Sequence, residues 1–175
     1  MAIDESAEFL PVRIALLTVS DSRSRENDSS GDILEQRLTD AGHILADRRI
    51  VADDMSEIVA RLHSWAEDPE VDCVICTGGT GVTGRDITPE ALERVGEKPI
   101  PGFGELFRWL SYETIGTSTI QSRACACVAS GTYIFALPGS NGAVKDGWDK
   151  ILSSQLDSRH RPCNFVELMP RLSER

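Results

Sequence analysis

The stretch Thr77-Gly-Gly-Thr-Gly-Val-Thr-Gly-Arg-Asp-Ile-Thr-Pro-Glu-Ala91 constrains this chain more than any other. Upstream, Val71-Asp-Cys-Val-Ile-Cys76 is apolar, β-branched and bounded by turn residues, which predicts a short buried strand. Downstream, Thr88 has the side chain of an N-cap, Pro89 suits the first helical position and Glu90 complements the helix dipole. Between strand and helix lie Gly78, Gly79, Gly81 and Gly84, interleaved with Thr77, Thr80 and Thr83. Glycines let a backbone approach a ligand closely and turn its N–H groups toward an anion. Their spacing alone would serve an ordinary strand-to-helix turn equally well, and it matches neither a Rossmann fingerprint nor a P-loop. The hydroxyls of Thr77 and Thr80 and the carboxylate of Asp86 favour a ligand loop. An acid beside an anion site is unfavourable unless a cation or a catalytic task accounts for it. A phosphate and its metal ion fit that combination.

Taken in order, residues 1–11 form a polar lead expected to be frayed and flexible, and Val12 to Val19 reads as the first buried strand. A helix is predicted from about Asp32 to Ala41, stopped by Gly42, and a weaker strand over Ile44 to Val51. Asp54 with Glu57 resembles a capping box and opens a helix carrying Ile58, Leu62 and Trp65. After the glycine loop and its helix, Pro99 and Pro101 break the chain before an aromatic-rich helix beginning at Gly102. Its Phe103, Leu106, Phe107 and Leu110 read as core or subunit packing rather than a pterin box. Ala124 to Ala129 and Thr132 to Leu137 are strands joined by the hairpin signal Ser130-Gly131, and a last helix holds Val144, Trp148, Ile151 and Leu152. Strands alternating with helices predict an α/β three-layer sandwich, Rossmann-like, with a mostly parallel sheet flanked by helices. The division expected is a lead (1–11), one domain (12–166) and a tail (167–175). In such folds ligands bind outside the carboxyl ends of the parallel strands. Four polar turns follow strand ends here: Ser20-Asp21, Asp53-Asp54, Thr77 to Asp86, and Pro138 to Asn141. Convergence of the four on one rim is the strongest functional expectation.

A chain of 175 residues suits one α/β domain with a full core. Its net charge of −10 disfavours a nucleic-acid partner, although a glycine loop and a divalent ion can reverse the local field for a small phosphorylated ligand. The acidic N-terminus lacks the pattern of a signal peptide, and no apolar run is long enough to span a bilayer, so a cytoplasmic protein without a membrane partner is expected. Cys73 and Cys76 sit in one strand at a spacing that sends them to opposite faces. That argues against a zinc or redox pair and for buried reduced thiols.

Several separated motifs together resemble one family. Thr18-Val-Ser20-Asp21-Ser, the Thr77 to Ala91 stretch, Pro101-Gly-Phe-Gly-Glu-Leu-Phe-Arg108, Gln121-Ser-Arg123 and Leu137-Pro-Gly-Ser140 resemble the MoaB/MogA proteins of molybdenum cofactor biosynthesis. The ending Gln155-Leu-Asp-Ser-Arg-His-Arg-Pro-Cys-Asn-Phe165 is similar to the MoaB branch. The resemblance covers roughly residues 12–166 and implies a molybdopterin-binding homo-oligomer, a trimer or hexamer, working beside other proteins of that pathway. In active members it also implies adenylyl transfer: the terminal phosphate of molybdopterin attacks the α-phosphate of Mg-ATP, releasing pyrophosphate. Joining two anions requires charge neutralisation and positioning more than a strong nucleophile. Carried over by resemblance, Asp53 and Asp86 are the catalytic and magnesium-binding carboxylates. Ser20, Asp21, Thr77, Gly78, Gly79, Thr80, Gly81, Thr88, Ser122, Pro138, Gly139 and Ser140 are the substrate contacts.

Blander readings stand beside these. Asp54 is expected to be a helix cap, given Glu57. Arg123 reads as either a substrate or a subunit contact, and Arg159-His160-Arg161 as a solvated or interface cluster. Ala52 stands where active MogA-type turns carry proline, which leaves that turn less rigid. The alternative function is a molybdopterin-binding carrier or regulatory oligomer without catalysis. A CinA-type relative shares a similar glycine loop but lacks the Pro101 to Arg108 motif.

Overall fold

A computed structural model describes residues 2–174. Its elements in chain order are β1 (Ala2–Ile3), β2 (Arg13–Val19), α1 (Ser29–Asp40), β3 (Ile44–Val51), α2 (Met55–Ala66), β4 (Cys73–Thr77), α3 (Thr88–Val95), β5 (Lys98–Pro99), α4 (Pro101–Ile115), β6 (Cys125–Ala129), β7 (Thr132–Leu137), α5 (Asn141–Gly147) and β8 (His160–Arg161). A 3₁₀ segment, Gly116–Gln121, follows α4, and α5 continues through a π-helical turn, Trp148–Leu152. Six strands form one sheet in the order β3-β2-β4-β7-β6-β5. The pairs β2/β3, β2/β4 and β4/β7 are parallel, while the β6–β7 hairpin and the short β5 make an antiparallel edge.

Strand alternation explains the layers. Ile14, Leu16, Cys73, Ile75, Phe135 and Leu137 face one way, onto Leu34 and Leu38 of α1, Phe103 and Phe107 of α4, and Val144 and Trp148. Ala15, Leu17, Val74, Cys76, Ile134 and Ala136 face the other way, onto Ile58, Leu62 and Trp65 of α2 and Leu92 and Val95 of α3. The expected three-layer sandwich is therefore observed, and Cys73 and Cys76 do fall on opposite faces. Cys163 departs from the expectation of buried thiols, because it is exposed. Among the described residues no helix is long and apolar enough to cross a membrane.

The N-terminus of α1 is held by a buried ion pair that sequence patterning did not reveal. Asp28 caps the helix, accepting from the Gly31 N–H at 3.1 Å, and takes the Thr18 hydroxyl at 2.8 Å. Arg48 of β3 donates to the same carboxylate at 2.7 Å, and the two side chains are 0% (Asp28) and 3% (Arg48) exposed. Burial alone would raise the Asp28 carboxyl, but hydrogen bonds from Arg48, Thr18 and Gly31 outweigh it and hold the group below its ordinary range. A Cβ at Gly31 would lie 2.1 Å from Asp28 and 2.4 Å from Arg48, so only glycine admits this approach. The cap also moves the helix start to Ser29, three residues ahead of the predicted Asp32.

The N-terminal lead is not frayed as expected. Ala2–Ile3 pairs antiparallel with His160–Arg161, and the Leu10 N–H donates to Ser158 at 2.9 Å. Phe9 takes the Arg159 guanidinium 5.0 Å over its ring and packs 5.3 Å from His43. The Arg159-His160-Arg161 cluster is thus spent on holding this lead.

His43 sits between Phe9 and Trp148, and its Nδ1 accepts the Val12 N–H at 3.2 Å. Burial pushes its pKa below the ordinary 6.5, opposed in part by Asp157. The folded state then binds fewer protons than the unfolded one just below that value. This stabilisation is whole above pH 6.5 and is lost as the pH falls through the depressed folded value. Urea unfolding of wild type and His43→Asn from about pH 7.5 to about pH 5.5 should show a steeper acid-side loss in wild type. Parallel profiles would remove His43 as the cause.

Candidate functional site

The four parallel strands end on one edge, and the four polar turns meet there. The first two clasp each other: the Asp21 N–H donates to Asp53 Oδ2 and the Asp53 N–H to Asp21 Oδ1, each at 3.1 Å. Asp54, one residue on, accepts from the Ser56 and Glu57 amides at 2.9 and 3.0 Å and is the cap of α2, as expected. The glycine loop then crosses the end of β2. Gly78, at φ +104°, donates its N–H to the Leu137 carbonyl at 3.0 Å, and a Cβ there would lie 2.2 Å from the Val19 carbonyl oxygen. Glycine is required at this point both by the backbone angle and by contact with a neighbouring strand.

A cleft of about 340 Å³ opens where these turns converge. Ser20, Asp53, Thr77, Gly78, Gly79, Thr80, Gly81, Asp86, Pro138 and Gly139 all line it, so ten of the sequence-predicted site residues share one space. A second cleft of about 430 Å³, with more apolar walls, lies beside it between α4, the 3₁₀ segment and α5. Ser122 and Ser140 line this second space, while Thr80, Gly81 and Pro138 line both. The ridge formed by these three residues therefore separates a polar compartment from an apolar one.

Two predicted contacts have other duties. Thr88 is buried, and its hydroxyl donates to the Gly78 carbonyl at 2.8 Å. It is the first residue of α3 rather than its cap, because Ile87 occupies the cap position and makes no side-chain cap bond. Thr88 braces the loop from behind. Asp21 lies outside both linings; it pairs with Arg85 and clasps the Asp53 turn.

Residues missed at the sequence level complete the walls. Arg23, Ser30 and Arg85 enter the polar cleft, and Phe107, Thr119, Gln121 and Lys145 the apolar one. Arg23 and Arg85 flank motifs that were noted, so a cation beside each acidic turn was a usable signal. In the apolar cleft, Phe107 and Gln121 lie within the Pro101 to Arg108 and Gln121 to Arg123 motifs, whereas Thr119 and Lys145 left no signal.

The two carboxylates of the polar cleft differ in environment. Burial raises the Asp53 carboxyl above its ordinary range, with the charges of Asp21 and Asp86 acting the same way against the Asp21 amide and Arg85. Asp86 is held below its range, chiefly by the Thr83 hydroxyl at 2.6 Å, with the Thr83 amide at 2.8 Å and the Arg123 charge adding to it. Among the described residues no group of three or more His, Cys, Asp or Glu side chains is arranged to hold a metal. Two carboxylates on one cleft are nevertheless the donor set Mg²⁺ commonly takes, its other ligands being water and phosphate oxygens.

Comparison with known proteins agrees with this architecture. Residues 15–158 match the family described as a probable molybdopterin binding domain. Molybdenum cofactor biosynthesis protein B of Escherichia coli (strain K12) is 49% identical over 160 residues, covering 91% of this chain and 94% of the relative. A crystal structure of molybdenum cofactor biosynthesis protein B superposes with a TM-score of 0.85 at 35% identity, covering 95% of this chain and 98% of that one. The tungsten cofactor synthesizing protein MoaB from Pyrococcus furiosus superposes with a TM-score of 0.74 at 36% identity, covering 82% of this chain and 92% of its own.

Gly78→Ala tests the strand-crossing contact. Positive φ alone should cost about 1–3 kcal/mol, and the clash with Val19 adds to it. Thermal unfolding should show a clear drop in Tm; an unchanged Tm would mean that the loop can leave the end of β2 without cost.

Proposed function

The chain belongs to the molybdopterin-binding domain family of molybdenum cofactor biosynthesis, among the protein B relatives, and on that premise we propose that it adenylylates molybdopterin with Mg-ATP. The observation that carries this reading is the pair of clefts meeting at Thr80, Gly81 and Pro138. A phosphate carried by an apolar heterocycle needs such neighbours, one polar with backbone donors and carboxylates, the other apolar.

In this reading the pterin lies against Phe107 and Ile115, with Ser122, Gln121 and Lys145 as polar contacts, and its terminal phosphate crosses the ridge. The phosphate oxygen bonds to the α-phosphorus of ATP as the bond to the β-phosphate oxygen breaks, giving adenylyl-molybdopterin and pyrophosphate. No proton must be abstracted from a phosphate already ionised, so this transfer needs no general base. The chain supplies orientation and charge balance: glycine-loop backbone and Ser20 on the phosphates, Arg23 and Arg85 at the mouth. Asp53 and Asp86 would hold the magnesium ion, which when bound neutralises phosphate charge.

Copies of the chain are proposed to assemble. Trp109 is 71% exposed and Ile120 81%, with Tyr112 and Ile115 also exposed between them. Large apolar side chains left this exposed on α4 and the following segment suit a subunit contact.

Single-turnover conversion of molybdopterin by the purified protein, following adenylylated pterin and pyrophosphate together, tests the activity. Equal yields are expected, with the rate in Asp86→Ala down at least about 100-fold and pterin affinity little changed. Unchanged turnover would remove Asp86 from the mechanism. Tight pterin binding without product in wild type would make the protein a carrier.

A further inference from the structure

Arg123, read from its position at a strand entrance as a substrate or a subunit contact, makes a set of contacts within its own chain. Its side chain turns inward onto the glycine loop. The Arg123 N–H donates to the Thr80 carbonyl at 2.9 Å, Nε to the Gly81 carbonyl at 2.6 Å and Nη2 to the Asp86 carbonyl at 2.5 Å. Nη1 pairs with Glu90 in the first turn of α3. One planar guanidinium thus ties together both ends of the excursion from Gly81 to Asp86 and anchors them to a helix.

We propose that Arg123 is a positioning residue that staples the base of this excursion, so that Asp86 and the loop amides keep their places in the polar cleft. Residues 82–85 are exposed, and beyond the Arg85–Asp21 ion pair the excursion has little packing of its own. Asp86 stands at its foot. Its carboxylate is gripped by Thr83 from within the excursion, while its carbonyl is gripped by Arg123 from outside. The second grip refers Asp86 to the rest of the fold.

The same contacts orient the phosphate-facing backbone. In a trans peptide the C=O and the following N–H point in opposite directions. Thr88 takes the carbonyls of Gly78 (by its hydroxyl) and Gly79 (by its N–H), and Arg123 takes those of Thr80 and Gly81. Four successive carbonyls are therefore drawn outward, which turns the intervening amides back toward the cleft. Lysine cannot replace this arrangement, since an ammonium is a point charge without the planar fork that meets several acceptors at once. The neighbouring Ser122 walls the apolar cleft, so the segment that carries the staple also bounds the pterin-side space.

The catalytic arm of the test rests on the adenylyl-transfer reading, whereas the backbone arm does not. Full-length Arg123→Met, Arg123→Lys and Glu90→Gln are compared with wild type. Amide hydrogen exchange should speed up roughly tenfold or more over residues 82–86 in Arg123→Met, while β4 keeps its wild-type protection. The maximal single-turnover rate should fall about 100-fold, with the half-saturating pterin concentration within about threefold of wild type. Arg123→Lys should recover less than about a tenth of the lost rate. Loop exchange within about threefold of wild type overturns the staple. So does a faster-exchanging loop that still transfers at the wild-type rate. If Arg123→Met does not fold, Arg123→Lys and Glu90→Gln decide by the same two readouts. If wild type makes no product, the proposed reaction fails and loop exchange alone decides.

Discussion

The carboxylate of Asp28 ties the start of α1 to two neighbouring strands, β2 and β3. It caps α1, receives Thr18 from β2 and pairs with Arg48 of β3. An ion pair buried this deeply is a poor source of net stability but a strong discriminator, because removing Arg48 leaves the Asp28 carboxylate without a counter-charge in the interior. Its geometric consequence is direct. Thr18 and Ser30 flank the pair and both reach the polar cleft, so the pair sets the distance between the end of β2 and the start of α1.

Parallel pairing does the rest. With β3, β2, β4 and β7 running the same way, every strand delivers its following turn to the same edge, and the turns then bind one another. The Asp21 and Asp53 turns exchange amide bonds, Gly78 lies against Val19, and Thr77 donates to the Pro138 carbonyl at 3.3 Å. The cleft is the space these turns leave between them. It is consequently as rigid as the sheet on one side and only as rigid as an exposed excursion on the other.

Much of this could be read from the sequence, for identifiable reasons. The buried strands announced themselves through unbroken β-branched runs, and turns such as Ser130-Gly131 through residues suited to positive φ, which Ser130 and Gly131 do adopt. Asp54 was legible as a cap because its partners are two and three residues away. Asp28 was not, because Arg48, which makes its burial possible, is twenty residues distant and lies on a strand with weak patterning. Thr88 was misread because residue type cannot distinguish a hydroxyl that caps its own helix from one that reaches back ten residues to Gly78. The apolar cleft was legible only at Thr80, Gly81, Ser122, Pro138 and Ser140, for a related reason. Phe107, Gln121 and Lys145 meet only through the packing of α4 and α5 on the sheet, and nothing in their separate segments ties them to one space.

The pairing of Ala2–Ile3 with His160–Arg161 has a consequence for how the protein is made. Contacts this distant in sequence impose the largest loop-closure cost, and they form after local helices and strand pairs have removed most of the chain's freedom. During synthesis the first residues must remain without their partner until nearly the whole sheet has left the ribosome. Until the segment after α5 has emerged, β2, β3, β4 and β7 can pair while the lead is still free. Engagement of that lead is then a late event in biogenesis, reporting that the segment after α5 has emerged and docked.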